Sequence, residues 1–106
     1  MIKISFFYND KKSINGFDFI GHAGFAESGQ DIVCAAVSAL VFNTMNSIEE
    51  FTSSDFDTEM NEDKGHIYFK LKSEPDEKTE LLLNSLKLGI CEIQKSYGKK
   101  YIRIEK

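Results

Sequence analysis

The chain has 106 residues, 42% of them hydrophobic and 28% charged, which suits one folded domain, 1–106, rather than a disordered segment. Its net charge of −4, from 13 Lys and Arg against 17 Asp and Glu, argues against binding nucleic acid through counterion release. Two cysteines, Cys34 and Cys91, are too few for a disulfide scaffold; no leader pattern and no apolar run near membrane-spanning length is read, so a cytoplasmic protein with reduced thiols and no membrane contact is expected.

Alternation of Ile2, Ile4, Phe6 and Tyr8 with Lys3, Ser5 and Phe7 predicts a first strand over Ile2 to Tyr8. Asn9 to Ser13 reads as a loop and Asn15-Gly16 as a turn, with a second strand over Phe17 to Gly21 pairing back as a hairpin. A small, glycine-punctuated loop runs from His22 to Gln30. Asp31 then has the chemistry of an N-cap. Val33, Val37, Leu40, Val41, Thr44, Ile48 and Phe51 follow at helical spacing, and the helix should stop within Thr52 to Asp55.

Phe56, Thr58 and Met60 suggest a third strand, Asn61 to Gly65 a polar turn, and Ile67, Phe69 and Leu71 the returning arm. Ser73-Glu74-Pro75-Asp76-Glu77 is a helix-start pattern. Leu82, Leu86, Ile90, Ile93 and Tyr97 mark the second helix, with Gly98 placed for a left-handed cap. Tyr101, Ile102 and Ile104 form a last strand, and Lys99, Lys100, Arg103 and Lys106 mark its solvent side. The order β-β-α-β-β-α-β with short connections predicts an α+β two-layer α/β sandwich, mostly antiparallel, with two helices on one face.

Chemistry concentrates at Gly21-His22-Ala23-Gly24 and Asp31-Ile32-Val33-Cys34. The thiolate is the reactive form of cysteine, and a free thiol has a pKa near ~8.5. If Asp31 caps the helix, Cys34 lies in its first turn, where the dipole and a neighbouring imidazolium should lower that value. Cys34 would then attack a carbonyl carbon, His22 would protonate the leaving amine, and amides at the helix start would hold the oxyanion. Asp31 has a second possible role in orienting His22. The spacing alone does not single out catalysis: the residue types also fit a polar strand end at His22 and a small buried hydrophobe at Cys34.

Gly21-His22-Ala23, Gly29 and Asp31-Ile32-Val33-Cys34-Ala35-Ala36-Val37-Ser38 together resemble the signature of the ribosomal-processing cysteine protease family of Firmicutes and related bacteria. The resemblance implies a cysteine endopeptidase with His22 and Cys34 as its dyad. Its substrate would be a large-subunit ribosomal protein precursor, from which it removes a short N-terminal extension after an aromatic residue in an apolar motif. It also implies a homodimer. The supporting or substrate-binding residues are Gly21, Gly24, Phe25, Gly29, Asp31 and Ser38, with Phe17, Phe19 and Phe42 as further candidates for an apolar groove.

No cofactor is expected. His66 reads as an exposed hairpin-end residue without partners at metal-ligand spacing. Cys91 reads as a core or boundary thiol. Two alternatives compete with the protease: a non-catalytic ribosome-associated binding module of the same fold, and a thiol redox protein, which lacks a Cys-x-x-Cys pair.

Overall fold

In the computed structural model, which describes residues 1–27 and 30–105, the alternating N-terminal segment is strand β1, Ile2–Tyr8. Ile2, Ile4 and Phe6 turn inward, whereas Tyr8 is exposed beside a register shift at Phe7/Tyr8. The Asn9 Oδ1 accepts the backbone N–H groups of Lys11 and Ser13, both at 2.9 Å, and Lys12 takes a φ of 64°. That Asx turn reverses the chain into β2, Ile14–Ile20, antiparallel to β1.

The second strand therefore starts at Ile14 rather than Phe17, and Asn15-Gly16 is not a turn. Gly16 lies inside β2, where a Cβ would sit 2.5 Å from the Phe69 carbonyl oxygen and 2.9 Å from the Phe7 ring. Its missing side chain admits a neighbouring strand instead of a bend.

Helix α1 spans Ile32–Phe51, capped by Asp31 and ending at Thr52. Val33, Val37, Val41, Thr44, Met45 and Ile48 form its buried stripe, Leu40 is half-buried, and Phe51 at the helix end is exposed. By length and a mean hydropathy of 1.4, α1 meets the composition of a membrane-crossing helix, contrary to the sequence expectation. Its apolar stripe is nevertheless taken up by the core.

β3, Phe56–Asn61, and β4, His66–Leu71, form an antiparallel hairpin, and β4 pairs antiparallel with β2. α2, Glu77–Tyr97, is capped by Asp76, whose carboxylate accepts the Thr79 N–H at 2.8 Å. Its buried stripe is Thr79, Leu83, Leu86 and Ile90; Leu82 and Ile93 are only half-buried and Tyr97 is exposed. Gly98 has the positive φ expected of a cap, 117°, but its ψ of 156° lies outside the left-handed helical well.

β5, Ile102–Glu105, runs parallel to β1, giving a mixed five-stranded sheet of order β3-β4-β2-β1-β5. Both helices contribute to one core with the sheet, centred on Ile4, Phe17, Phe19 and Phe69. Burying each such side chain contributes roughly 1.5–3 kcal/mol. Phe17 and Phe69 stack at 4.8 Å across β2 and β4. Gly89 of α2 lets Leu40 of α1 approach where a Cβ would leave only 2.7 Å. This packing leaves the β2–α1 loop and the β3–β4 turn together at one end of the sheet.

Candidate active site

Gly21 ends β2 with a φ of 103°, and a side chain there would collide with the Met1 carbonyl oxygen. Its N–H donates to the Lys64 carbonyl at 3.1 Å, tying the strand end to the β3–β4 turn. His22 follows, exposed, and its Nε2 donates to the Asp63 carbonyl at 3.3 Å. Ala23 is buried and donates its N–H to the Cys34 sulfur at 3.1 Å. No hydrogen bond joins the His22 and Cys34 side chains among the described residues.

The loop then turns away at Gly24, which has a φ of 74° and open space where a Cβ would be. The Phe25 ring packs edge-on against Tyr97 at 5.6 Å and Tyr101 at 5.2 Å. Its backbone N–H donates to Asp31 Oδ2 at 3.1 Å. Gly29, expected in the loop, lies outside the described residues.

Asp31 is the N-cap. Its Oδ1 accepts the N–H groups of Val33 at 3.1 Å and Cys34 at 3.0 Å. The expectation that helix-start amides hold an oxyanion does not fit the Val33 and Cys34 amides, because Asp31 occupies those two. The donor at the sulfur is Ala23 N–H. Asp31 bonds to backbone amides and not to the His22 ring, so the structure shows the cap rather than the orienter. Burial acts to raise the Asp31 pKa, but the hydrogen bonds from the Cys34 and Phe25 amides outweigh it and hold the carboxyl below its ordinary value.

Cys34 is half-buried. Burial pushes its thiol pKa up; the Ala23 N–H pulls the other way, and the Asp31 carboxylate adds a further upward push. The net shift is upward, opposite to the lowered pKa the helix-start position suggested. Desolvation and a nearby carboxylate outweigh the dipole here.

Two cavities meet at these residues. One, of about 460 Å³, is walled by Val37, Phe42, Met60 and Ile67, with His22 and Cys34 at its edge. The other, of about 380 Å³, lies under the loop and is lined by His22, Gly24, Asp31, Cys34 and Ser38. Ser38 borders both cavities. Unlike Thr44 and Thr52, it makes no bond to the preceding helical turn among the described residues.

Of the aromatic candidates, Phe42 and Phe19 reach the larger cavity, Phe17 is core, and Phe25 is drawn onto Tyr97 and Tyr101. The sequence reading missed Met60, Asp63 and Gly65. Only the hairpin register brings them to His22, and no local spacing signals it. His66 is not a free exposed residue: it is half-buried and its Nε2 lies 2.5 Å from Asp18 Oδ1. Among the described residues no three His, Cys, Asp or Glu side chains converge as a metal site.

The family profile of the cysteine protease Prp matches residues 1–103. The chain belongs to the cysteine protease Prp family. The ribosomal processing cysteine protease Prp of Bacillus subtilis is 34% identical over 101 residues, 92% of this chain and 90% of that relative. The Prp of Staphylococcus aureus strain Mu50 is 29% identical over 98 residues, covering 92% of each. The crystal structure of S. aureus Prp with a covalently linked product peptide superposes with a TM-score of 0.93 at 28% identity, over 99% of this chain and 98% of that one. The same protein with a substrate peptide gives a TM-score of 0.87 at the same coverage. The Prp fold is thus present end to end, and cysteine protease is its class.

Proposed function

We propose that this chain is an endopeptidase that removes the N-terminal extension of a large-subunit ribosomal protein precursor during ribosome assembly, with Cys34 as nucleophile and His22 as acid and base. The names of its relatives and the peptide-bound state of the S. aureus protein support the substrate class. The observation that carries the residue assignment is that Cys34 and His22 share the walls of both cavities.

Because burial keeps the thiol protonated at rest, His22 works first as a general base. It takes the Cys34 proton as the sulfur attacks the scissile carbonyl carbon, and the carbonyl electron pair moves onto oxygen. That oxyanion forms beside the sulfur, within reach of the Ala23 N–H. As the carbon–nitrogen bond breaks, the imidazolium returns its proton to the leaving amine. His22 then deprotonates a water, which attacks the thioester carbon, frees the acid and regenerates the thiol.

The apolar cavity of Phe42, Met60 and Ile67 seats an apolar substrate side chain. The cavity under the loop, with Gly24, Asp31 and Ser38, takes chain on the other side of the scissile bond. The protein works in the cytoplasm without a cofactor, as a homodimer. Its two free thiols suit a reducing compartment, and exposed Ile32, Leu81 and Leu88 supply apolar surface for a second copy.

The test is incubation with the precursor and with its N-terminal peptide, followed by mass spectrometry. Cleavage is expected, and Cys34→Ala and His22→Ala should abolish it with the circular dichroism spectrum intact. Uncut precursor after prolonged exposure, or cleavage surviving Cys34→Ala, overturns the reading.

A further inference from the structure

We propose that the β3–β4 turn completes the catalytic centre: the Asp63 main-chain carbonyl holds His22 as the Nε2–H tautomer, making Nδ1 the nitrogen that exchanges protons with Cys34. The role of Nδ1 rests on the dyad proposed above; the tautomer does not.

A neutral imidazole carries one N–H and one bare nitrogen, and the partner of one decides the state of the other. A carbonyl oxygen only accepts. The His22 nitrogen facing Asp63 O at 3.3 Å is therefore the protonated one, and the lone pair is left on Nδ1. In many cysteine and serine hydrolases a side chain orients the base. Here Asp31 is engaged with the amides of Phe25, Val33 and Cys34, and among the described residues no carboxylate bonds the His22 ring, whose partner is the Asp63 carbonyl. A neutral carbonyl orients the ring without placing a further negative charge beside a thiol that must ionise.

Three consecutive turn residues touch the His22 segment. Asp63 accepts from the ring, Lys64 accepts from Gly21 N–H at 3.1 Å, and Gly65 packs beneath both. A Cβ on Gly65 would lie 2.5 Å from the Gly21 carbonyl oxygen and 3.1 Å from His22 Cε1, and its φ of 60° disfavours any side chain. The turn holds its own shape through Gly65 N–H to Glu62 O at 3.1 Å and Lys64 N–H to Asn61 Oδ1 at 3.2 Å. Gly65 is thus a positioning residue: its bare backbone lets the carbonyl reach the ring.

The experiment is nitrogen NMR of the full-length protein labelled with 15N-histidine, with His22 assigned from the spectrum of His22→Ala. The expected result is a protonated Nε2 and a bare Nδ1 for neutral His22. Asp63→Asn, which keeps the main-chain carbonyl, should retain that pattern. Gly65→Ala should shift His22 towards a tautomer mixture and lower kcat by at least about tenfold with KM little changed. An Nδ1–H tautomer in the unmodified protein overturns the proposal, as does loss of the pattern in Asp63→Asn. If Gly65→Ala fails to fold, the spectra of the other two proteins still decide. A failed dyad would show separately, as cleavage surviving Cys34→Ala with the tautomer unchanged.

Discussion

Ala23 donates its backbone N–H to the Cys34 sulfur at 3.1 Å, from eleven residues earlier in the chain. The residue after the histidine thus meets the thiol directly, and buried Ala23 gives that donor a fixed position. Replacing the Ala23 amide by an ester, with lactic acid in its place, removes the N–H and keeps the side chain. Steady-state kinetics should show kcat falling by about 10²–10³, as for loss of an oxyanion donor elsewhere.

The thiol should behave as a protonated group at neutral pH. Its iodoacetamide alkylation rate should rise with pH to a midpoint above that of free cysteine, about 8.5. Asp31→Asn removes one of the upward causes and should move the midpoint down. The sign carries into stability. A raised folded-state pKa gives a contribution that is fully present below the unfolded thiol value and is lost as pH rises from there through the folded value. Chemical denaturation across the alkaline range, comparing the protein with Cys34→Ala, reads the difference.

Asp31→Ala should cost about 1 kcal/mol through loss of the cap, and it also frees the Phe25 amide. The lowered Asp31 pKa means its contribution is complete above the unfolded carboxylate value, about 3.9, and is lost as pH falls through the folded one. Urea midpoints at neutral and acid pH should therefore converge between the protein and the variant.

Phe25→Ala removes two edge-on aromatic pairs, each worth about 0.5–1.5 kcal/mol, that hold the loop onto Tyr97 and Tyr101. Amide hydrogen exchange should quicken over residues 24–27 while the α1 core, Val37 to Ile48, keeps its protection.

Gly16→Ala should destabilise the sheet by at least about 1 kcal/mol, because the added methyl meets the Phe69 carbonyl of the paired strand. The thermal midpoint measures the drop.

The first strand, both helix starts and the hairpin after α1 were legible in the sequence. Ile2-Ile4-Phe6, Asp31 and Asp76 act through neighbours within a few residues, so the pattern itself carries the signal. Gly16 was misread because a turn and a close strand approach both call for glycine, and only the position of Phe69 tells them apart. Leu83 displaced Leu82 at the centre of the α2 stripe for a similar reason: the helix's rotation about its axis is set by the sheet it packs on.

At the candidate site the sequence by itself placed a histidine after a strand, a cysteine in the first helical turn and a capping aspartate between them. Capping and periodicity are local physics. The tertiary structure alone decided the rest. It brought a carbonyl 41 residues away to the His22 ring, and it turned the expected lowering of the Cys34 pKa into a rise. Hydrogen-bond partners and desolvation depend on which distant segments pack together, and no short stretch of chain contains that information.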